Sequence, residues 1–188
     1  MEKTTIKAGE KIVVFGPGPI GVLLALVVKS LGSEVTLIGI TKDASRLAKA
    51  QELGIEHVID SQTTELKALI KEATNDLGFD QVFECSGSPQ ALQQALELVK
   101  KKGTVIQEGL FAKNPVPIDM GLLLNKEIQL IGSRTQKPSS WYKSLEWLET
   151  SNVDLTPMIT KILPLSQWER AFELAMNGEE LKVLLKPE

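Results

Sequence analysis

The sequence contains few of the residues that form covalent cross-links or bind metal ions. Its 188 residues include one cysteine, Cys85, and one histidine, His57. A single cysteine excludes an internal disulfide and any multi-cysteine zinc site. Long apolar runs are also missing, because the longest, residues 20–28, is far shorter than the ~20 residues needed to cross a bilayer. The fold must therefore depend on an ordinary hydrophobic core.

Neither sign of charge dominates the chain. It has 21 Lys and Arg residues against 24 Asp and Glu residues, for a net charge of −3 at pH 7. This balance gives no reason to expect a nucleic acid or an anionic membrane as a partner. Residues 1–11 are polar and charged, unlike a signal peptide. We therefore expect a cytoplasmic protein with neither a nucleic-acid nor a membrane partner.

Short apolar segments alternate with segments of helical periodicity from residue 11 onward. Strands that are apolar throughout are typical of a parallel sheet covered by helices on both faces. Right-handed crossovers then favour an α/β doubly wound parallel sheet, the Rossmann fold. The predicted strands are Lys11–Phe15, Glu34–Ile38, His57–Ile59, Gln81–Glu84, Thr104–Gln107 and Glu127–Ile131, and the predicted helices are Pro19–Leu31, Ala44–Leu53, Thr64–Thr74 and Pro89–Val99.

The alternation ends near residue 133. Beyond it the sequence predicts a helix with Trp141, Leu145 and Leu148 on one side, then a strand, a helix and a final strand. This order does not continue the βα series. We therefore predict a doubly wound domain over residues 1–133 and a C-terminal limb over residues 134–188 that packs away from the main sheet.

Three glycines separate the first predicted strand from the first predicted helix, in Gly16-Pro17-Gly18-Pro19-Ile20-Gly21. A strand, G-x-G-x-x-G and a helix form the arrangement that binds the pyrophosphate of a dinucleotide. Gly16 permits the tight turn, Gly18 lacks the Cβ that would block the phosphates, and Gly21 lets the helix approach the strand. The helix N-terminus, which begins at a proline, offers unpaired N–H groups to the anion. Glycine-rich turns also occur without a ligand, but this position favours NAD(P) binding by Gly16, Gly18, Pro19, Ile20 and Gly21.

The second predicted strand ends in Gly39-Ile40-Thr41. It lacks the Asp or Glu that usually accepts hydrogen bonds from the adenosine ribose. Lys42 and Arg46 follow closely, and two cations without a competing carboxylate could bind a 2′-phosphate. The sequence therefore favours NADP over NAD, with Gly39, Thr41, Lys42 and Arg46 as candidate binding residues. In the alternative interpretation, Lys42 and Arg46 lie on a solvated helix start.

Four stretches carry a family resemblance. They are "GEKIVVFGPGPIGVLLALVVKSLGS", "SRLAKAQELGIEHVID", "FDQVFECSGSPQALQQALELVKKKGTVIQEGLF" and "ILPLSQWERAFELAMNGEELKVLLKP". Together they resemble the cofactor-binding half of the zinc-type medium-chain alcohol dehydrogenases, nearest to the sorbitol and threonine dehydrogenase branches. The resemblance covers nearly the whole chain. It implies an oxidoreductase in which zinc polarises an alcohol while a hydride moves to the nicotinamide.

In that family a catalytic domain precedes this segment and carries the zinc ligands. The resemblance therefore implies zinc only in a missing catalytic domain, no catalytic or metal-binding residue in this chain, and no activity for the chain alone. A cloned fragment and a naturally short homologue both remain open. The C-terminal limb would return toward the catalytic domain.

The resemblance also implies further cofactor-binding positions. Cys85 ends a strand that faces the cofactor in the family, although a small buried thiol is an equal alternative. Lys182 corresponds to a position that can reach the pyrophosphate, and its alternative is an exposed lysine. Backbone atoms would line the nicotinamide and its ribose at Ser86, Gly87, Gly109, Leu110 and Phe111.

Cofactor domains of that family pair about a two-fold axis through edge strands. The matching segment here is residues 114–132, in which Val116 and Ile118 alternate with prolines and Met120–Leu124 is strongly apolar. An unpaired edge beside such a patch favours a homodimer, unless Leu122–Leu124 pack under the sheet's own helices. Two other functions stay open: a zinc-independent reductase related to the quinone oxidoreductases, and a stand-alone dinucleotide-binding module.

Overall fold

A computed structural model describes residues 3–187 of the chain. Within that range alternating strands and helices lead into a separate C-terminal group. The strands are β1 (Lys11–Phe15), β2 (Glu34–Gly39), β3 (His57–Asp60), β4 (Phe79–Glu84), β5 (Val99–Gln107), β6 (Gln129–Gly132), β7 (Ile159–Pro164) and β8 (Lys182–Lys186). The α-helices are α1 (Pro19–Ser30), α2 (Ala44–Glu52), α3 (Leu66–Thr74), α4 (Pro89–Leu98), α5 (Met120–Asn125), α6 (Pro138–Thr150) and α7 (Trp168–Asn177).

The first six strands form one parallel sheet in the order β3-β2-β1-β4-β5-β6. This is the doubly wound order, in which the direction of winding reverses between β1 and β4. The predicted α/β fold is therefore confirmed. In such sheets ligands bind outside the carboxyl ends of the strands, at the point of reversal. The strand order therefore predicts a ligand site at the loops that follow β1, β2 and β4.

Both faces of the sheet are buried, as the apolar strands predicted. Ile12 and Val14 of β1 belong to a core that includes α1 and α2, whereas Val13 and Phe15 belong to a second core with α4. Three of these four side chains have no solvent exposure, and that of Phe15 is 3% exposed. Because alternate residues of a strand point to opposite faces, a continuous apolar run is needed where both faces carry helices.

The C-terminal limb pairs its own strands. β7 and β8 form a separate two-stranded parallel sheet. Met158 and Leu181 nevertheless join the core around α1, and Trp147 donates a hydrogen bond from Nε1 to Ser30 Oγ at 2.7 Å. The strands β7 and β8 thus lie outside the main sheet, and the division into a domain over residues 1–133 and a limb over residues 134–188 stays a prediction.

The largest error among the predicted strand boundaries is at β5. β5 begins at Val99, which pairs with Phe79, and not at Thr104 after the lysines. Further along, Thr104 pairs with Gln81, and the register shifts between this pair and the Val99–Phe79 pair. Within the irregular stretch Lys102 has a φ of +61°, and its N–H donates to Lys126 O at 2.7 Å. The ladder therefore continues through an irregular stretch of lysines that sequence alone indicated as a break.

Within residues 3–187, no helix combines the length and the apolar character needed to cross a membrane.

Candidate functional site

The glycine loop, residues 16–21, joins the carboxyl end of β1 to α1. Gly16 has a φ of +92°, and an added Cβ there would lie 2.9 Å from the backbone nitrogen of Ser86. A Cβ added at Gly21 would lie 2.0 Å from the carbonyl oxygen of Gly16. Both positions therefore require glycine for the fold itself, because the turn and the helix–strand contact leave no space for a side chain.

Gly18 differs from its two neighbours. It is the N-cap of α1 with an ordinary φ of −77°, and no described heavy atom lies within 4 Å of an added Cβ. Neither conformation nor packing requires glycine at this position. Pro19 occupies the first helical position, and Ile20 beside it is 63% exposed. The open space in front of the helix N-terminus is where an anion would bind.

A crevice of about 380 Å³ opens beside the glycine loop. It lies at the carboxyl ends of β1, β2 and β4, the position that the strand order indicates for a ligand. Its size is that of a small-molecule site. Among the residues that line it are Gly16, Gly39, Ile40, Asp43, Ser61, Gln62, Ser86 and Gln90.

Glu84, the last residue of β4, organises the loops on the other side of the crevice. Its carboxylate is fully buried. Oε1 accepts hydrogen bonds from Ser86 N at 2.7 Å, from Gly87 N at 3.1 Å and from the Ser86 hydroxyl. Oε2 accepts from Gly87 N at 3.0 Å and from Gln107 Nε2 at 2.6 Å. All of these partners are hydrogen-bond donors, as an ionised carboxylate requires. Through them Glu84 fixes the turn after β4 and, through Gln107, joins that turn to β5.

The turns after β4 and β5 come into direct contact. A Cβ added at Gly87, whose φ is +71°, would lie 2.2 Å from the carbonyl oxygen of Leu110, and one added at Gly109 would lie 2.1 Å from Gly87 N. The structure therefore brings together four of the predicted nicotinamide-side residues, Ser86, Gly87, Gly109 and Leu110. Phe111 packs instead against the core around α4.

Cys85 is a largely enclosed thiol. Its Sγ lies 3.9 Å from Glu108 Oε2. Burial raises the pKa of the Cys85 thiol far above its usual range, and the negative charges of Glu108 and Glu84 raise it further. The thiolate is the form that attacks electrophiles and binds metals. Because the raised pKa keeps Cys85 protonated, we expect its thiol to be unreactive toward electrophiles and a poor metal ligand.

We expect Cys85 to resist alkylation in the folded protein. At pH 8 iodoacetamide should react at least about tenfold more slowly than in the urea-unfolded chain, because the raised pKa keeps the folded thiol protonated. Mass spectrometry of timed, quenched samples measures both rates. Equal rates in the two states would contradict the enclosure of this thiol.

Gly39 and Thr41 lie at the end of β2. A Cβ at Gly39 would lie 2.9 Å from Cγ of Pro17, so a larger residue would collide with the glycine loop. Thr41 is held from the next strand, since its hydroxyl donates to Asp60 Oδ2 at 2.7 Å and its N–H donates to Gln62 Oε1 at 3.1 Å. The strand end is thus fixed by the last residue of β3 and by the turn that follows it.

Arg46, one of the two predicted phosphate-binding cations, binds backbone carbonyl groups of the C-terminal limb. Arg46 donates to the carbonyl oxygen of Glu180 from Nε at 3.1 Å and from Nη2 at 3.0 Å, and to that of Ala175 at 3.3 Å. It therefore fastens α2 to the C-terminal limb. Lys42 is exposed.

Lys182 is an exposed residue at the start of β8, and its binding role stays a prediction.

The described residues offer no metal site. Within residues 3–187 no three His, Cys, Asp or Glu side chains are grouped so that they could hold an ion. The crevice, in contrast, is lined by Gly16 and Gly39 and lies beside the glycine loop that leads into α1. The residues present fit a dinucleotide, whereas they do not fit zinc.

Comparison with known proteins identifies relatives of this arrangement. The chain is 42% identical over 185 residues to the sorbitol dehydrogenase of Halalkalibacterium halodurans, covering 98% of this chain and 54% of that protein. It is 38% identical over 185 residues to the D-arabitol-phosphate dehydrogenase of Enterococcus avium, covering 98% of this chain and 53% of that protein. The solved alcohol dehydrogenase of Thermotoga maritima superposes with a TM-score of 0.88 at 29% identity, covering 100% of this chain and 52% of that one.

Residues 19–150 match the zinc-binding dehydrogenase family. The chain spans about half the length of the relatives it matches. The family resemblance inferred from the sequence is thereby confirmed. The chain belongs to the zinc-binding dehydrogenase family and corresponds to the NAD(P)-binding, C-terminal part of its medium-chain alcohol and polyol dehydrogenases.

Proposed function

We propose that this chain binds NAD or NADP and positions the nicotinamide for hydride exchange with an alcohol carbon in a zinc-dependent dehydrogenase. The observation that carries the proposal is Gly18. The protein's own structure makes no use of a glycine there, whereas a pyrophosphate approaching the helix N-terminus would.

We propose a place for each part of the cofactor. The pyrophosphate would lie at the glycine loop, the adenosine over the end of β2, and the nicotinamide toward the ends of β4 and β5. Glu84 holds Ser86 and Gly87 against Gly109, so the nicotinamide side is preorganised by backbone atoms. The nicotinamide itself supplies the hydride chemistry when bound, and these residues orient it.

Activation of the alcohol is assigned to the part of the relatives that lies outside this chain. The described side chains do not fit a zinc ion, and burial keeps the Cys85 thiol protonated. We therefore propose that zinc and the substrate-binding residues belong to an amino-terminal half and that the chain alone does not oxidise alcohols.

The C-terminal limb supports this division. α6 exposes Trp141, Tyr142 and Leu145 at 61%, 75% and 56%, and α7 exposes Phe172 and Met176 at 58% and 79%. Exposed apolar side chains in this number indicate a surface that another part of a protein covers. We propose the catalytic domain as that covering part, in line with the half-length match to the relatives.

The names of the relatives suggest a substrate class. Sorbitol and D-arabitol phosphate are the substrates named for the two similar dehydrogenases. We propose a polyol or polyol phosphate as the substrate of the whole enzyme.

A titration of the purified chain with NADH tests the proposal. We expect the fluorescence of the reduced nicotinamide to change with saturation below about 1 mM, a modest affinity suited to one half of a site. ADP-ribose, which retains the pyrophosphate, should compete, whereas adenosine at the same concentration should not. Elemental analysis should find no stoichiometric zinc. No binding at this concentration, or equal competition by adenosine, would contradict the assignment of the pyrophosphate to the glycine loop.

We also propose a homodimer that forms through residues 114–132. β6 is the edge strand of the sheet, and beside it Met120, Leu124 and Leu130 are 60%, 75% and 36% exposed. Leu122 and Leu123 pack against the core around α4. An unpaired edge beside exposed apolar side chains can join its two-fold copy. Residues 115–119, for which alternation suggested a short strand, have no regular secondary structure.

Light scattering should therefore give a mass near twice the 20.6 kDa of one chain. Leu124→Glu places a charge in the proposed contact and should yield a monomer that still binds NADH, because Leu124 lies outside the crevice. Leu77→Glu is the control, since Leu77 is 76% exposed in the loop between α3 and β4. A wild-type chain that stays monomeric at micromolar concentration would contradict the proposal.

A further inference from the structure

The end of β2 lacks a carboxylate of its own, but β3 supplies one. Gly39 and Asp60 are paired across the two parallel strands. From there Asp60 Oδ2 accepts a hydrogen bond from the Thr41 hydroxyl at 2.7 Å, and Oδ1 accepts from Gln62 N at 2.9 Å. The carboxylate is therefore held in place beside the strand end that carries the adenosine ribose in this fold.

A second carboxylate approaches the same strand end from α2. Asp43 is 9% exposed and lines the crevice. Its Oδ2 accepts from Ile40 N at 3.1 Å, and its Oδ1 lies 4.0 Å from Nη1 of Arg46. The two acids thus flank Ile40 and Thr41 on both sides.

The cations at this end of the crevice balance these charges only in part, because Arg46 lies within ion-pair distance of Asp43 and, among residues 3–187, no Lys or Arg side chain forms an ion pair with Asp60. The Arg46 side chain is only 16% exposed, and its guanidinium is occupied by the carbonyl oxygens of Glu180 and Ala175. Among residues 3–187, Lys42 makes no ion pair with Asp60 or Asp43, and its side chain is exposed to solvent. The prediction of an NADP site assigned both Lys42 and Arg46 to the 2′-phosphate, whereas the Arg46 guanidinium donates to carbonyl oxygens of the C-terminal limb.

We infer that Asp60 is a specificity-determining residue that favours NAD over NADP. This inference rests on the proposed cofactor binding. A ribose with a free 2′-hydroxyl can donate to a carboxylate, whereas a 2′-phosphate adds up to about two negative charges beside Asp60 and Asp43. Like charges brought together lower affinity, and among residues 3–187 the Asp60 carboxylate has no cation paired with it, so the site disfavours the phosphorylated cofactor by repulsion.

Paired titrations of the chain with NADH and NADPH test the inference. The wild-type chain should bind NADH at least about tenfold more tightly than NADPH at low ionic strength, and added salt should reduce the ratio because it screens the repulsion. Asp60→Asn keeps the size and one acceptor oxygen but removes the charge. It should reduce the ratio by about tenfold or more, mainly by strengthening the binding of NADPH.

Asp76→Asn is the matched control. Asp76 is an exposed residue in the turn between α3 and β4, at the amino edge of the sheet, and this variant should leave the ratio unchanged. A merely structural role of Asp60 would weaken both cofactors equally. Equal weakening, or a wild-type preference for NADPH, would overturn the inference and leave the proposed cofactor binding intact. Failure of both cofactors to bind would overturn the two together.

Discussion

Gly18→Val is expected to weaken cofactor binding by a factor on the order of 100 while the protein stays folded. An added Cβ at Gly18 meets no described atom within 4 Å, and the residue has an ordinary φ of −77°. The folded chain therefore tolerates the branched side chain. The pyrophosphate does not, because valine would occupy the space through which the phosphates approach the helix N-terminus. Calorimetric titration with NADH measures the affinity, and thermal unfolding measures the stability.

Gly21→Ala provides the comparison for Gly18→Val. Its added Cβ would lie 2.0 Å from the carbonyl oxygen of Gly16, so α1 would have to move away from β1. We expect this variant to lose several kilocalories per mole of unfolding free energy, in the manner of an overpacked core. Unaltered NADH affinity in Gly18→Val, with Gly21→Ala destabilised, would show that the glycine loop serves the fold alone.

Glu84→Ala is expected to lower the free energy of unfolding by on the order of 4 kcal/mol. The fully buried carboxylate accepts from Ser86, Gly87 and Gln107, and its removal leaves these donors without an acceptor. Each buried unsatisfied donor costs about 1–3 kcal/mol, and water entering the new cavity would recover part of this. Urea unfolding followed by circular dichroism measures the change.

Glu108→Ala is the control for Glu84→Ala. Glu108 is adjacent to the same turns but is only partly buried, and its Oε1 accepts from Ser133 Oγ at 3.1 Å. We expect a loss of about 1 kcal/mol or less. Similar losses for both variants would show that the donors around Glu84 find other partners.

The fold and the glycine loop could be predicted because their signals are local. Apolar strands, helical periodicity and the spacing of Gly16, Gly18 and Gly21 all lie within short segments of the sequence. The lysines before Thr104 misled the strand prediction for a similar reason. Exposed charges at residues 101 and 102 resemble a loop, yet β5 pairs with β4 on both sides of them, at Val99 and at Thr104.

The contacts that complete the site are not local. Arg46 binds carbonyl oxygens more than 120 residues further along the chain, so the sequence near Lys42 gave no sign of this contact. Asp60 reaches Thr41 only because β3 pairs with β2 in one register. Glu84 left a weak signal, a charged residue at the end of an otherwise buried strand, and its donors come from the turn after β4 and from Gln107, the last residue of β5.

Chemical-shift mapping tests most directly whether the crevice between β1 and β4 binds a dinucleotide. Proton–nitrogen spectra of the ¹⁵N-labelled chain should be recorded as NADH is added. The amides of Gly16, Gly18, Ile20 and Gly87 should shift along one saturable curve, while those of Lys102 and Glu127, at the opposite edge of the sheet, should not move. Saturable shifts at that opposite edge, with the glycine-loop amides unmoved, would contradict the account.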